Sequence, residues 1–205
     1  MFDRVHPCQQ DAFSVTVTEA LDRVTLFRLS RQKNTDEALL RSYARGDAKA
    51  FNRLYERHKD GLYNFIIRSL AHPAAAEEIV QEAWLAVVDQ AGKFEARDAQ
   101  FRTWLYRIAA NKVADFYRRK INWSEELDHE RVESAGLSVD DRVLFEQLLA
   151  ALADLPEDQR VAFVLQQEGF SHREIADITG VGSETVKSRL RYAKASTRER
   201  MELKA

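Results

Sequence analysis

Between residues 170 and 194 the chain reads FSHREIADITGVGSETVKSRLRYAK, and no other stretch limits its possible folds so sharply. Ser171 and Glu174 have the S-x-x-E spacing of a capping box, in which each side chain satisfies a backbone N–H at a helix start. Ala176 is small enough to sit where two helices cross closely. Gly180, four residues later, is free to adopt the left-handed conformation that turns the chain. Val181, Val186 and Leu190 supply packing positions for a second helix, which Ser183 can cap. This is a helix-turn-helix pattern, and its second helix is placed to enter a major groove. Thr185, Lys187, Ser188, Arg189, Arg191 and Lys194 give that helix groups suited to DNA. From 187 to 200 six bases stand against Glu199 alone, a local charge of +5, and such a face gains affinity by releasing counterions.

The rest of the chain also reads as helix. Only 7 Gly and 3 Pro occur in 205 residues, which leaves little material for turns and favours an all-α protein. Residues 1–34 are weakly patterned and are expected to form a flexible or loosely helical extension. From Thr35 the pattern sharpens. Thr35 or Asp36 can cap a helix carrying Leu39, Leu40 and Tyr43 that ends at Gly46. Asp47 can cap a second, with a stripe of Phe51, Leu54, Tyr55, His58, Leu62 and Phe65 or Ile66, and His72–Pro73 breaks the chain. AAAEEIVQEAWLAVVDQ predicts a third helix, closing near Gly92. FRTWLYRIAANKVADFYRRK, residues 101–120, predicts a fourth. Wound at about 100° per residue, it puts Phe101, Leu105, Ala109 and Phe116 on a core side, and Arg107, Asn111 and Arg118 on a narrow outer arc. Short joints between these helices predict a four-helix bundle over residues 35–120.

Then the charge reverses. Residues 97–120 hold seven bases and two acids, a charge of +5, whereas residues 121–147 hold eight acids and two bases, a charge of −6. An acidic segment containing Ser and Gly after a basic helix reads as a linker, placed at 121–139. A second helical domain is expected over 140–205. Its first stripe is Leu144, Leu148, Leu149 and Leu152, and Pro156 stands in the first turn of a helix carrying Val161, Val164 and Leu165 that stops at Gly169.

Several function classes are disfavoured. The net charge is −2, so nucleic-acid binding must rest on local patches and not on the global balance. Cys8 is the sole cysteine, which excludes an internal disulfide and a cysteine-based zinc site. No apolar run approaches the roughly 18 residues that cross a bilayer, and the segment MFDRVHPCQQDAF lacks the apolar core of a signal peptide. A cytoplasmic protein without membrane insertion is expected. A di-iron site needs two Glu-x-x-His motifs; only Glu126–His129 qualifies, within the linker. No phosphate-binding Gly loop or nucleophile–base pattern occurs, so the expectation is no enzyme, no metal and no cofactor.

Three blocks together resemble the extracytoplasmic-function (ECF) group of bacterial sigma factors, the small two-domain initiation subunits of RNA polymerase. AAEEIVQEAWL (75–85) is similar to the segment that docks on the polymerase clamp helices, FRTWLYRIAANKVADFYRR (101–119) to the one that opens and reads the minus-10 element, and LPEDQRVAFVLQQEGFSHREIADITGVGSETVKSRL (155–190) to the domain that reads the minus-35 element. The likeness spans roughly residues 36–200. It implies a sigma region 2 bundle over 35–120 and a sigma region 4 domain over 140–205. Promoter-specific transcription initiation, often in stress response, is the implied function, with core RNA polymerase and promoter DNA as partners and, as is often so in this group, an anti-sigma factor.

The resemblance places Asn111 at the pocket for a flipped-out promoter base, where a primary amide both donates and accepts. Arg107, Lys112, Arg118, Arg119 and Lys120 would then hold the backbone of the separating strands. Ser183, Thr185, Lys187, Ser188, Arg189 and Arg191 are implied for the minus-35 element, and Glu77, Glu78, Ile79, Gln81 and Glu82 for core polymerase. The acidic linker would thread basic channels of polymerase. Three positions depart from the pattern: Ala75 replaces a usual acid, Glu184 a usual Gly, and Tyr192 a common Arg. The rival reading is a helix-turn-helix regulator with an N-terminal sensor domain, which would bind duplex DNA without polymerase.

Overall fold

The computed structural model describes residues 35–95, 100–121 and 149–202. Within them the chain forms α1 (Asp36–Ala44), α2 (Ala48–Leu70), α3 (Pro73–Gln90), a 3-10 turn (Ala91–Lys93), α4 (Phe101–Ile121), α5 (Glu157–Gln167), α6 (His172–Thr179) and α7 (Ser183–Glu202). Residues 149–153 are also helical. The described residues are thus all-α. The expected extension (1–34), the acidic linker with Glu126 and His129, and Leu144 and Leu148 of the second domain lie outside them.

Local chemistry explains the helix ends. Thr35 caps α1, its Oγ1 accepting from Ala38 N–H at 3.3 Å. Asp36 instead turns its carboxylate to Arg57 and to His58 Nε2, each at 2.7 Å, and so ties α1 to α2. Asp47 caps α2 through Lys49 N–H at 3.0 Å. Ala71 ends α2 in the left-handed region at φ +49°, a conformation that costs a non-glycine residue about 1–2 kcal/mol. Pro73 then occupies the first position of α3.

Two expected caps shift by one residue. Pro156 precedes α5 as its N-cap, and its carbonyl accepts from both Gln159 and Arg160 N–H at 3.0 Å. Ser183 is already helical, and the first bond of α7 runs from Val186 N–H to Gly182 C=O. The cap position therefore belongs to Gly182. The turn before it follows the pattern read from sequence: Ser171 and Glu174 form the reciprocal capping box, and Gly180 adopts φ +68°.

Helices α1–α4 bury Leu40, Leu54, Leu62, Phe65, Ile66, Ile79, Phe101 and Leu105, while Leu152, Leu165, Ile175, Val186 and Leu190 centre the second group of helices. Trp104 is 7% exposed, and its ring lies 5.0 Å from Phe94. These two groups are packed together, and their buried side chains form a single continuous cluster. Contact is made by α4 against α6 and by α2 against α5. No helix among the described residues is long and apolar enough to cross a membrane.

Candidate nucleic-acid and polymerase interfaces

The turn at residues 180–182 fixes α7 against α6. Val186, Leu190 and Ala193 face inward, while Ser183, Glu184, Thr185, Lys187, Ser188, Arg191 and Tyr192 are exposed on the outer side of α7. Five of the six residues expected at the minus-35 element share this outer surface. The sixth, Arg189, folds back to pair with Asp158 of α5, and its side chain is 20% exposed. Lys187 Nζ lies 2.7 Å from Glu184 one turn earlier, and the Arg191 guanidinium lies over the Tyr192 ring, 5.0 Å from its centroid.

On α4, Arg107, Asn111, Arg118 and Arg119 are exposed and Lys112 is half-buried. The side chain of Lys120 lies outside the described residues. Lys112 and Arg119 converge on Glu82 of α3, at 3.1 and 3.6 Å, and Arg118 pairs with Asp115. Together these five side chains line an open basic depression of about 430 Å³.

Part of the outer arc of α4 looks toward the second group of helices. Asn111, with Ala110 and Ala114, forms one wall of a crevice of about 120 Å³, whose other wall includes Asp158, Thr179, Val181 and Arg189. Arg107, with Gln100, Thr103 and Trp104, lines a wider cleft of about 580 Å³ opposite Arg173, Glu174 and Asp177 of α6. The middle of the candidate minus-10 surface, at Arg107 and Asn111, therefore faces α5, α6 and the Arg189 edge of α7, while the outer face of α7 stays open.

A polar latch holds this closed arrangement. Glu168, just past α5, receives Arg68 from α2 on one carboxylate oxygen and the Tyr106 hydroxyl of α4 on the other, the latter at 3.2 Å. Its backbone carbonyl accepts from Arg102 at 2.6 Å, and Arg102 also lies 4.0 Å from the Phe170 ring centroid. Burial, reinforced by the Glu168 carboxylate, pushes the Tyr106 phenol up to about 12. A Cβ at Gly61 would stand 3.0 Å from the Tyr106 hydroxyl, so a larger residue there would require the phenol to shift.

A second joint uses Arg160, only 4% exposed. It donates to the carbonyls of Leu152 and Ala153 at 3.2 Å and to the Tyr117 hydroxyl at 2.8 Å, while Tyr117 donates to Leu70 C=O. Burial pushes Tyr117 up to about 12, against the pull of Arg160. Sequence reasoning missed these residues. The available signal was the spacing of Arg102, Tyr106 and Tyr117, which puts three polar-tipped side chains along one flank of α4.

The outer face of α3 exposes Glu77, Glu78 and Gln81, with Glu82 half-buried. Ile79 is fully buried, which corrects its expected place at a polymerase contact: it is one position round the helix from Glu78 and points into the bundle. Leu85 at 64% and Val88 at 37% exposure share the outer face instead. Both were missed, although Leu85 falls at i+7 from Glu78, where a helix returns to the same side.

Comparison with known proteins places this geometry. Residues 54–122 match the Sigma-70 region 2 family and residues 145–196 the Sigma-70, region 4 family. Over 171 residues the chain is 32% identical to the ECF RNA polymerase sigma-E factor of Escherichia coli K12, a match covering 76% of this chain and 88% of that one. The ECF RNA polymerase sigma factor BldN of Streptomyces coelicolor is 31% identical over 166 residues, covering 76% of this chain and 61% of BldN. Among solved structures, CnrH in complex with the cytosolic domain of CnrY superposes with a TM-score of 0.65 at 26% identity, over 83% of this chain and 99% of that one. The sigma factor RpoE bound to the anti-sigma factor NepR, from Bartonella quintana, shares the fold with a TM-score of 0.62 at 24% identity, over 77% of this chain and all of that one.

Proposed function

This chain belongs to the extracytoplasmic-function group of sigma-70 factors, and on that premise we propose how its surfaces divide the work of initiation. The protein is an alternative sigma factor: it binds core RNA polymerase and directs it to specific promoters. The outer face of α3 (Glu77, Glu78, Gln81 and Leu85) docks on polymerase. Asn111 reads a flipped minus-10 base, while Arg107, Lys112, Arg118, Arg119 and Lys120 hold the opened strands. Helix α7 reads the minus-35 element through Ser183, Thr185, Lys187, Ser188 and Arg191. Arg189 joins them only after leaving Asp158. The work is recognition and strand separation, performed in the cytoplasm beside polymerase, with no catalysis by this chain. CnrH and RpoE are solved with CnrY and NepR, and an anti-sigma protein is the corresponding partner here.

One observation supports this reading above the rest: Asn111 and Arg189 line opposite walls of one crevice of about 120 Å³. Asn111 thus faces the second group of helices, and a partner that separates the two groups frees it and Arg189 to take DNA. Polymerase docking at α3 provides that separation. A regulator that reads duplex DNA needs no such partner. A gel shift on promoter duplex, with and without core polymerase, tests the difference. Binding that requires core polymerase is the expected result, and equal binding by the isolated chain would favour the regulator.

A further inference from the structure

Among the described residues four large apolar side chains are exposed. Tyr55, Leu85 and Val88 belong to α2 and α3. Tyr192, at 56%, stands on α7, amid cations and hydroxyls and far from any role in the core. An aromatic ring held in water is a poor choice for a purely solvated face, so its surroundings must be read for what it would touch.

Winding α7 at about 100° per residue separates its outer surface into two stripes. Glu184, Lys187 and Arg191 form a charged one, with Lys187 already paired to Glu184. Thr185, Ser188 and Tyr192 form an uncharged one, opposite the buried Val186, Leu190 and Ala193. Arg189 lies beyond the uncharged stripe and is drawn away to Asp158. The uncharged stripe thus carries two small hydroxyls and one large ring.

Reach also fits. A helical side chain leans toward the helix N-terminus and covers the turn before its own Cα. Tyr192 therefore lies over Ser188, toward the N-terminal part of the helix, whose residues contact base edges when such a helix lies in the major groove. Arg191 contacts the ring and reaches the Tyr192 hydroxyl at 3.3 Å, so the phenol is held in place from its charged side. In the major groove the apolar group on offer is the C5-methyl of thymine. We propose that Tyr192 is a specificity-determining residue of the minus-35 interaction and packs its ring on a thymine methyl.

This rests on the reading of α7 as the minus-35 helix, and the experiment separates the two. Holoenzyme containing the wild-type chain selects active promoters from a library randomised across the minus-35 region. Each thymine of the selected element is then replaced singly by deoxyuridine, which removes only the methyl, and templates are transcribed at limiting holoenzyme. One position is expected to lose about three- to fivefold, the worth of burying a single methyl. Tyr192→Ala is expected to lose a similar factor on the thymine template and to stop distinguishing thymine from uridine there. Tyr192→Phe is expected to keep the distinction, because the ring and not the hydroxyl meets the methyl. A selected element without thymine, or uridine sensitivity that survives in Tyr192→Ala or disappears in Tyr192→Phe, overturns the proposal. Failure to select any minus-35 element overturns the reading of α7 itself, and the proposal with it.

Discussion

Replacing Glu168 by alanine tests whether the closed arrangement is held by its polar latch. The substitution removes the carboxylate that takes Arg68 and the Tyr106 hydroxyl, but leaves the backbone carbonyl that takes Arg102. The Arg68 and Glu168 side chains are 21% and 14% exposed, so solvent screens this pair less than a surface one. A hydrogen bond to a charged partner contributes about 1.5–3 kcal/mol and a phenol bond about 0.5–1.5, which together give roughly 2–4 kcal/mol. At about 1.4 kcal/mol per tenfold, the closed-to-open ratio falls roughly 30- to 900-fold. The cores on either side stay intact, so the loss appears as opening and not as unfolding. The assay places a cysteine at Ala114, on the wall of the crevice, in a Cys8→Ser background, and follows its reaction with a thiol reagent. Glu168→Ala should raise the rate at least tenfold and enlarge the radius of gyration in solution scattering, with helical circular dichroism unchanged. An unchanged thiol rate, with a lowered melting temperature, would show that Glu168 only supports α5 and would refute the latch.

Asn111→Ala should leave capture by core polymerase intact and weaken promoter opening by roughly 1–3 kcal/mol, the worth of a good amide–base pairing; permanganate footprinting of the melted strands reads this directly. Glu78→Lys combined with Leu85→Ala should reduce capture by core polymerase in pull-downs while thermal stability holds, whereas Ile79→Ala should cost about 2–5 kcal/mol of stability because it empties a core site. Alkali should loosen the closed arrangement. Tyr106 and Tyr117 ionise near 10 when exposed and near about 12 when buried, so the folded form favours the neutral phenols. Their contribution is complete below pH 10 and is lost as pH rises from 10 through 12; spectrophotometric phenol titration against circular dichroism should show both phenols ionising last, together with the loss of structure.

The helices and their ends were legible because each depends on neighbours in sequence. Ser171 finds Glu174 three residues away, Asp47 finds Lys49, and Gly180 meets its own backbone requirement. Caps slipped at Pro156 and Ser183 because a residue at an element boundary fits the N-cap and first-turn positions almost equally. What sequence could not supply was the partner of each polar group. Glu82 belongs to a block similar to a polymerase-docking segment, yet it sits between Lys112 and Arg119. Arg189 carries a charge suited to DNA, yet Asp158, 31 residues away in sequence, holds it. Glu168 ends a helix unremarkably until folding brings Arg68 to it across 100 positions. Periodicity reports which side of a helix faces inward; it carries no information about which other helix stands opposite.

The pairing of the cations clarifies how a chain of net charge −2 carries two basic surfaces. Around the α4 surface, Lys112 and Arg119 share Glu82, and Arg118 takes Asp115. Along α7, Lys187 takes Glu184, Arg189 takes Asp158 and Arg200 takes Asp154. Each acid lowers the local charge of the basic helix it pairs with. Most of these pairs are well exposed, and an exposed pair contributes about 0–1 kcal/mol. Exchanging them for DNA phosphates is therefore nearly isoenergetic pair by pair, and the favourable balance comes from the counterions the DNA releases. The buried joints are different in kind: Arg160 with Tyr117 and Arg68 with Glu168 lie largely out of solvent, and losing them leaves desolvated groups without partners. The surface pairs temper the charge of the basic faces, while the joints near Glu168 and Arg160 hold the two groups of helices together.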